Sequence, residues 1–156
     1  MDLGRVFEVF RALDREGVRY VLIGGAALNL HGLARATQDL DLFLDARPEN
    51  VERLKAALRS VFADPEIDDI SAEDLAGDYP TVRYAPPQDP FVIDLIARLG
   101  DRFRFEDLEA EERLVEGVRV RVASPRTLYL LKKDTVRPID QADAEALRRR
   151  FGLGEP

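Results

Sequence analysis

The sequence predicts an α/β (α+β) fold, a mixed β-sheet flanked by helices, and three observations carry that prediction. Segments with apolar residues at helical spacing alternate with short apolar runs of strand length. One run doubles back as a tight hairpin, so the sheet is mixed and not all parallel. At 156 residues the chain can bury a sizeable core, and that length favours one domain over residues 1–156.

Residues 2 to 16 read as an amphipathic helix. Leu3, Val6, Phe7, Phe10 and Leu13 recur at helical spacing, and Gly17 follows as a stop. "VRYVLIGG" then reads as a strand closed by glycines, residues 26 to 31 as a short helix ended by Gly32, and "DLDLFLD" as the next strand. Pro48 opens a helix through about Phe62, with Val51, Leu54, Leu58 and Val61 on one face. The acidic stretch 63 to 78 is expected to be a loop with one helical turn. "PTVRYA" and "FVIDLIA" read as strands joined by "PPQDP". Residues 104 to 111 are expected to form a short helix, and "RLVEGVRVRVA" a hairpin turning at Glu116-Gly117. Ser124 then caps a helix with Pro125 at its first position, running to about Asp134. A last helix is expected over roughly 140 to 151, stopped by Gly152. There is no internal repeat and no low-complexity segment.

Composition narrows the chemistry. There is no Cys, which removes disulfides and thiolate metal sites, and the single histidine, His31, makes a histidine-based zinc site a poor expectation. A metal would have to be held by carboxylates, which suits Mg²⁺ or Mn²⁺. The net charge of −7 argues against coating nucleic acid by bulk electrostatics. Arginine and lysine clusters at 98–104, 132–137 and 148–150 read equally as local basic patches or as solvated helix faces. No apolar run approaches the roughly 18 residues of a membrane span, and the acidic N-terminus resembles no leader peptide, so a cytoplasmic address is expected.

The chemistry concentrates in "LIGGAALNLHGLARATQDLDLFLD", residues 22 to 45. In a strand, residues i and i+2 share a face. Asp39 and Asp41 therefore project together while Leu40, Leu42 and Leu44 enter a core. Two adjacent carboxylates in a half-buried place need a counter-charge, and a divalent cation supplies one; the plain alternative is an edge strand with a wet face. Asp94 in "FVIDLIA" is a third strand acid, able to complete one metal site if the two strands are neighbours. Upstream, Gly24-Gly25 sits at a strand-to-helix turn, where backbone can approach a ligand and a helix N-terminus attracts phosphate. A phosphate cradle facing paired carboxylates is what metal-assisted phosphoryl or nucleotidyl transfer needs.

The pattern Gly24, Gly25, His31, Gly32, Arg35, Thr37, Asp39 and Asp41 resembles the signature of the polymerase-beta-like nucleotidyltransferase superfamily. Within it the match is closest to the AbiEii-like or MenT-like nucleotidyltransferases of type IV toxin–antitoxin systems. "LYLLKKDTVRPIDQADAEAL" is similar to the group's K-x4-R-x2-D-x2-D segment, giving Lys132, Arg137, Asp140 and Asp143. The motifs span residues 20 to 147. The resemblance implies a nucleotidyltransferase fold with a core over 1–100, completed by a C-terminal hairpin and helices over 112–152. It implies that Asp39 and Asp41 hold Mg²⁺ (or Mn²⁺) on the NTP triphosphate, and that Asp94 holds a second metal and helps activate the attacking hydroxyl. Gly24 and Gly25 would hold the β- and γ-phosphates, Lys132 the triphosphate, and Arg35 a phosphate or the acceptor; Thr37 and Arg137 join the nucleotide-binding set. Many relatives carry Ser where this chain has Gly25, and Thr37 is the candidate to replace that hydroxyl. The chain is also short compared with many toxins of this group, so a large C-terminal domain for binding an acceptor such as tRNA is not expected.

Other readings of these residues remain open from sequence. His31 suits packing or a hydrogen bond, Arg137 and Asp140 suit a salt bridge between the last helices, and Phe7, Phe10, Phe43, Phe62 and Phe91 suit the core. The expected function is transfer of NMP from an NTP to a hydroxyl of RNA (a tRNA 3′ end) or of a partner protein, in toxin–antitoxin or phage defence, with a cognate antitoxin or toxin as partner. The competing function is a nucleotide- or partner-binding module on the same fold without turnover.

Overall fold

The computed structural model describes residues 2–78 and 80–154. Helix α1 (Leu3–Arg15) starts where the Asp2 side chain accepts from the Arg5 N–H at 3.2 Å, and it buries Val6, Val9, Phe10 and Leu13. Strand β1 (Tyr20–Ile23) runs directly into α2 (Gly24–Leu30), so the paired glycines open the helix instead of closing the strand. β2 (Asp39–Leu44) and α3 (Pro48–Val61) follow where the sequence puts them.

The acidic stretch folds more than expected. A 3₁₀ turn (Pro65–Asp69) and α4 (Ala72–Ala76) dock through Ile67, Ile70 and Leu75, all buried. β3 (Thr81–Tyr84) and β4 (Val92–Ile96) come next, and β5 (Arg98–Leu99) and β6 (Phe103–Arg104) form a small separate hairpin that sequence reading missed. The short helix expected over 104–111 is only a 3₁₀ turn (Phe105–Asp107). From Ala110 the chain is already strand, because Ala110 and Glu111 pair with Ala123 and Val122. β7 (Ala110–Val115) and β8 (Val118–Ala123) form the expected hairpin, turning through Glu116 and Gly117, both at positive φ. α5 (Pro125–Lys132) carries the Ser124 cap, and α6 (Pro138–Phe151) ends at left-handed Gly152.

Six strands form one mixed sheet in the order β3-β4-β2-β1-β8-β7. β2 runs parallel to β4 and β1 parallel to β8; the other neighbours are antiparallel. Registers Tyr20↔Leu44, Leu22↔Leu42, Leu40↔Ile93 and Leu42↔Leu95 put these apolar side chains on one face. α1 packs on that face, with Phe10 against Tyr20, and α3 packs on α1. The core contains Phe10, Phe43, Phe62 and Phe91, with Phe7 partly buried against it. The opposite face carries the alternate residues of β2, β3 and β4. Among the described residues no helix is long and apolar enough to cross a membrane.

Candidate functional site

Parallel pairing sets Asp41 directly beside Asp94, and Asp39 beside Val92. Asp39 lies two residues from Asp41 on the same strand, so the three carboxylates share one face across two neighbouring strands. Asp41 is half-buried. Burial raises its pKa, and the neighbouring Asp94 and Asp39 charges add to that, lifting it to about 6; the Lys132 ammonium offsets only part. The cluster is thus short of positive charge around Asp41.

Gly24 is built around this carboxylate. It has φ +74°, and a Cβ there would lie 2.0 Å from Asp41 Oδ2. Only glycine accepts both the left-handed backbone and the contact. Gly25 stands against Thr37: a Cβ on Gly25 would sit 3.1 Å from Thr37 Cβ and 3.4 Å from its Oγ1. Thr37 therefore fills the neighbourhood that a serine at Gly25 would claim. Its hydroxyl donates to the Asp39 carbonyl at 3.2 Å and accepts from the Asp39 N–H at 3.1 Å, fixing the entry to β2.

The loop before β2 is held by Asn29, which donates to the Arg35 carbonyl at 2.9 Å and accepts the Arg35 N–H at 2.7 Å. The Arg35 guanidinium then pairs with Asp143 of α6. Lys132, at the end of α5, donates to Asp140 Oδ1 at 3.0 Å and to Asp143 Oδ2 at 3.1 Å. Burial works to raise the Asp140 pKa, but hydrogen bonds from Lys132 and Thr135 outweigh it and hold the group below the usual carboxylate range. Lys133 points elsewhere, to Asp134. Arg137 is exposed, with Nε 3.9 Å from Asp140 Oδ2, and stands at the rim of this network.

The structure thus brings Asp39, Asp41, Asp94, Gly24, Gly25 and Thr37 together, with Lys132 near enough to act on Asp41. Arg35 and Lys132 meet through Asp143. His31 is structural: its Nε2 lies 2.8 Å from the Ala123 carbonyl, which only accepts, so Nε2 carries the proton and Nδ1 accepts from Arg113 at 3.1 Å.

Sequence reading missed Arg83. It stands opposite Asp94 in the β3–β4 ladder, donates from Nε to Asp94 Oδ1 at 3.1 Å, and places Nη2 3.5 Å from Asp39 Oδ2. The signal was present in the alternation of "TVRY": Val82 and Tyr84 go to the core, so Arg83 must share the carboxylate face.

Among the described residues no three acid or histidine side chains close round one point as they stand. The donor chemistry nevertheless fits a hard divalent cation: all-oxygen ligands on adjacent strands, with Asp41 under net negative potential. A hollow of about 1010 Å³ lies on the other side of the sheet, floored by Leu22 and Leu40 and walled by Phe7 and Phe10. The titratable cluster, not this apolar hollow, marks the candidate site.

The model of the family "Nucleotidyl transferase AbiEii toxin, Type IV TA system" matches residues 9–150. No curated protein matches the chain. A crystal structure of ANT(2")-Ia in complex with adenylyl-2"-tobramycin superposes with a TM-score of 0.56 at 17% identity, covering 94% of this chain and 87% of that one. A solution structure of the antibiotic-resistance factor ANT(2'')-Ia gives 0.51 at 18% identity, covering 97% and 93%. At such identities the likeness is one of fold.

Proposed function

The chain belongs to the AbiEii family of nucleotidyl transferase toxins of type IV toxin–antitoxin systems and is a nucleotidyltransferase; from that premise we propose that it moves NMP from an NTP to a hydroxyl of RNA, such as a tRNA 3′ end, or of a partner protein. The observation that carries this reading is the in-register pair Asp41 and Asp94, with Asp39 on the same face and Gly24 pressed against Asp41.

In this reading the acceptor oxygen bonds to the α-phosphorus, the α–β bridging bond breaks, and pyrophosphate leaves. Asp94 draws the proton from the attacking hydroxyl, with Asp41 beside it. Asp39, Asp41 and Asp94 would hold Mg²⁺ or Mn²⁺, which when bound supplies Lewis acidity and charge at the triphosphate. Gly24 and Gly25 would present their backbone N–H groups to the β- and γ-phosphates at the start of α2, with Thr37 packed beside Gly25 in place of a serine hydroxyl there. Lys132, anchored by Asp140 and Asp143, supplies a point charge to the triphosphate, and Arg35 and Arg137 line its approach. The chain acts as one domain over 1–156, because β8 joins the sheet that carries the aspartates. A cognate antitoxin and a cytoplasmic setting complete the reading.

The test uses purified protein, Mg²⁺ or Mn²⁺, and each of the four α-³²P-labelled NTPs, with total tRNA or lysate protein as acceptor. Asp39→Ala and Asp41→Ala are expected to abolish label transfer while their circular dichroism stays native. Undiminished transfer by both variants would remove the carboxylates from the mechanism.

A further inference from the structure

Among the described residues, Arg83 contacts the carboxylate cluster and has no part in the proposed chemistry. Its guanidinium spans two of the three acids, reaching Asp94 through Nε at 3.1 Å and Asp39 through Nη2 at 3.5 Å. The oxygens it engages belong to the donor set a divalent cation would take. A divalent cation drawing on those oxygens would meet the positive charge of the guanidinium, a repulsion that exposure of the pair screens in part. The arginine side chain is 63% exposed. It can therefore swing to solvent at little cost in buried surface. Its charge persists at every working pH, so the competition does too.

We propose that Arg83 is a built-in counter-cation, holding Asp39 and Asp94 together in the metal-free protein and competing with the divalent metal for them. Metal loading then requires the guanidinium to leave. Asp94 and Asp39 each present an oxygen to Arg83, across the β3–β4 register that sets Arg83 opposite Asp94. The inference rests on reading the three aspartates as metal ligands. It adds that β3, an edge strand whose sequence looks merely structural, sets the metal affinity of β2 and β4.

The experiment is Mn²⁺ titration of the full chain without nucleotide, following free Mn²⁺ by electron paramagnetic resonance, on wild type, Arg83→Gln, Arg83→Lys and Asp41→Asn. Arg83→Gln is expected to tighten Mn²⁺ binding on the order of ten-fold, a figure limited by the exposure of the pair. Arg83→Lys, whose point charge cannot span both acids, is expected to fall between. In thermal melts Arg83→Gln should lower Tm without metal and gain more from Mn²⁺ than wild type does. If Arg83→Gln does not fold, Mn²⁺ binding by Arg83→Lys tighter than that of wild type carries the test. Wild-type uptake of Mn²⁺ with the same or weaker affinity in Arg83→Gln and Arg83→Lys overturns the competition and leaves the metal reading standing. Absence of uptake in every protein, or uptake unchanged in Asp41→Asn, overturns both.

Discussion

Asp41 is the residue on which function and stability pull apart. Burial and two like charges lift its pKa from 3.8 to about 6. The folded protein therefore holds this proton more tightly than the unfolded chain does. Its contribution to stability is full below about pH 4, is lost as pH rises through about 6, and stays lost above that. Asp41→Asn removes the penalty. In EDTA near pH 8 the variant is expected to be more stable than wild type by about 1–3 kcal/mol, discounted for partial exposure, and near pH 3.5 to show no gain. Urea unfolding at the two pH values measures it; equal stability near pH 8 would mean the Asp41 charge is already compensated. At this scale the sequence was highly legible: aspartates two apart in an apolar strand, after paired glycines, announce a charged cluster. Arg83 was not legible as its partner, since facing Asp94 depends on a β3–β4 register that no local pattern states. Nor was the fit of Gly24 to Asp41, which needs β1 and β2 side by side.

One buried polar side chain fixes where three elements meet. Asn50, in the first turn of α3, is 2% exposed. It accepts from the Arg19 N–H at 2.7 Å and donates to the Arg19 carbonyl at 3.0 Å and the Asp45 carbonyl at 2.7 Å. One amide thus ties α3 to the start of β1 and the end of β2, which carries the aspartates. Asn50→Ala is expected to cost about 2–4 kcal/mol in urea unfolding, because it strands buried backbone groups; a loss under about 0.5 kcal/mol would show that these ends are held otherwise. Helices with a periodic face, α1, α3 and α5, were readable, the last two also from the proline at their first position. The segment 104–111 was not: its acids suit a helix, but pairing with β8 draws Ala110 and Glu111 into a strand. The stretch 63–78 misled in the other direction, as charge concealed Ile67, Ile70 and Leu75, which anchor it to the core.

Across the whole molecule, β1 is the hinge of the topology. It pairs antiparallel with β2 and parallel with β8, so residues about a hundred positions apart meet at Leu22↔Val122. The Arg35–Asp143 pair adds a second tie of the same reach. A chain stopped after Glu116 would lose β8, α5 and α6 and leave β1 as a bare apolar edge. Such a truncation is expected to aggregate and to lack a cooperative thermal transition, checked by size exclusion and circular dichroism; a soluble, cooperatively melting fragment would show that residues 1–116 fold alone. Fold class and the presence of a mixed sheet followed from periodicity and one hairpin. Strand order did not, because side-chain alternation says which face a residue takes and nothing about which strand lies beside it.

That sheet order also sets a sequence of events on the ribosome. The acids at 39, 41 and 94 emerge first, while Lys132 and the Asp143 anchor for Arg35 follow dozens of residues later. Throughout that interval the nascent polypeptide carries its negative cluster without the C-terminal cation, and β1 waits for the strand that covers its second side. The proposed site is thereby incomplete on the nascent chain until residues 132–143 have been made.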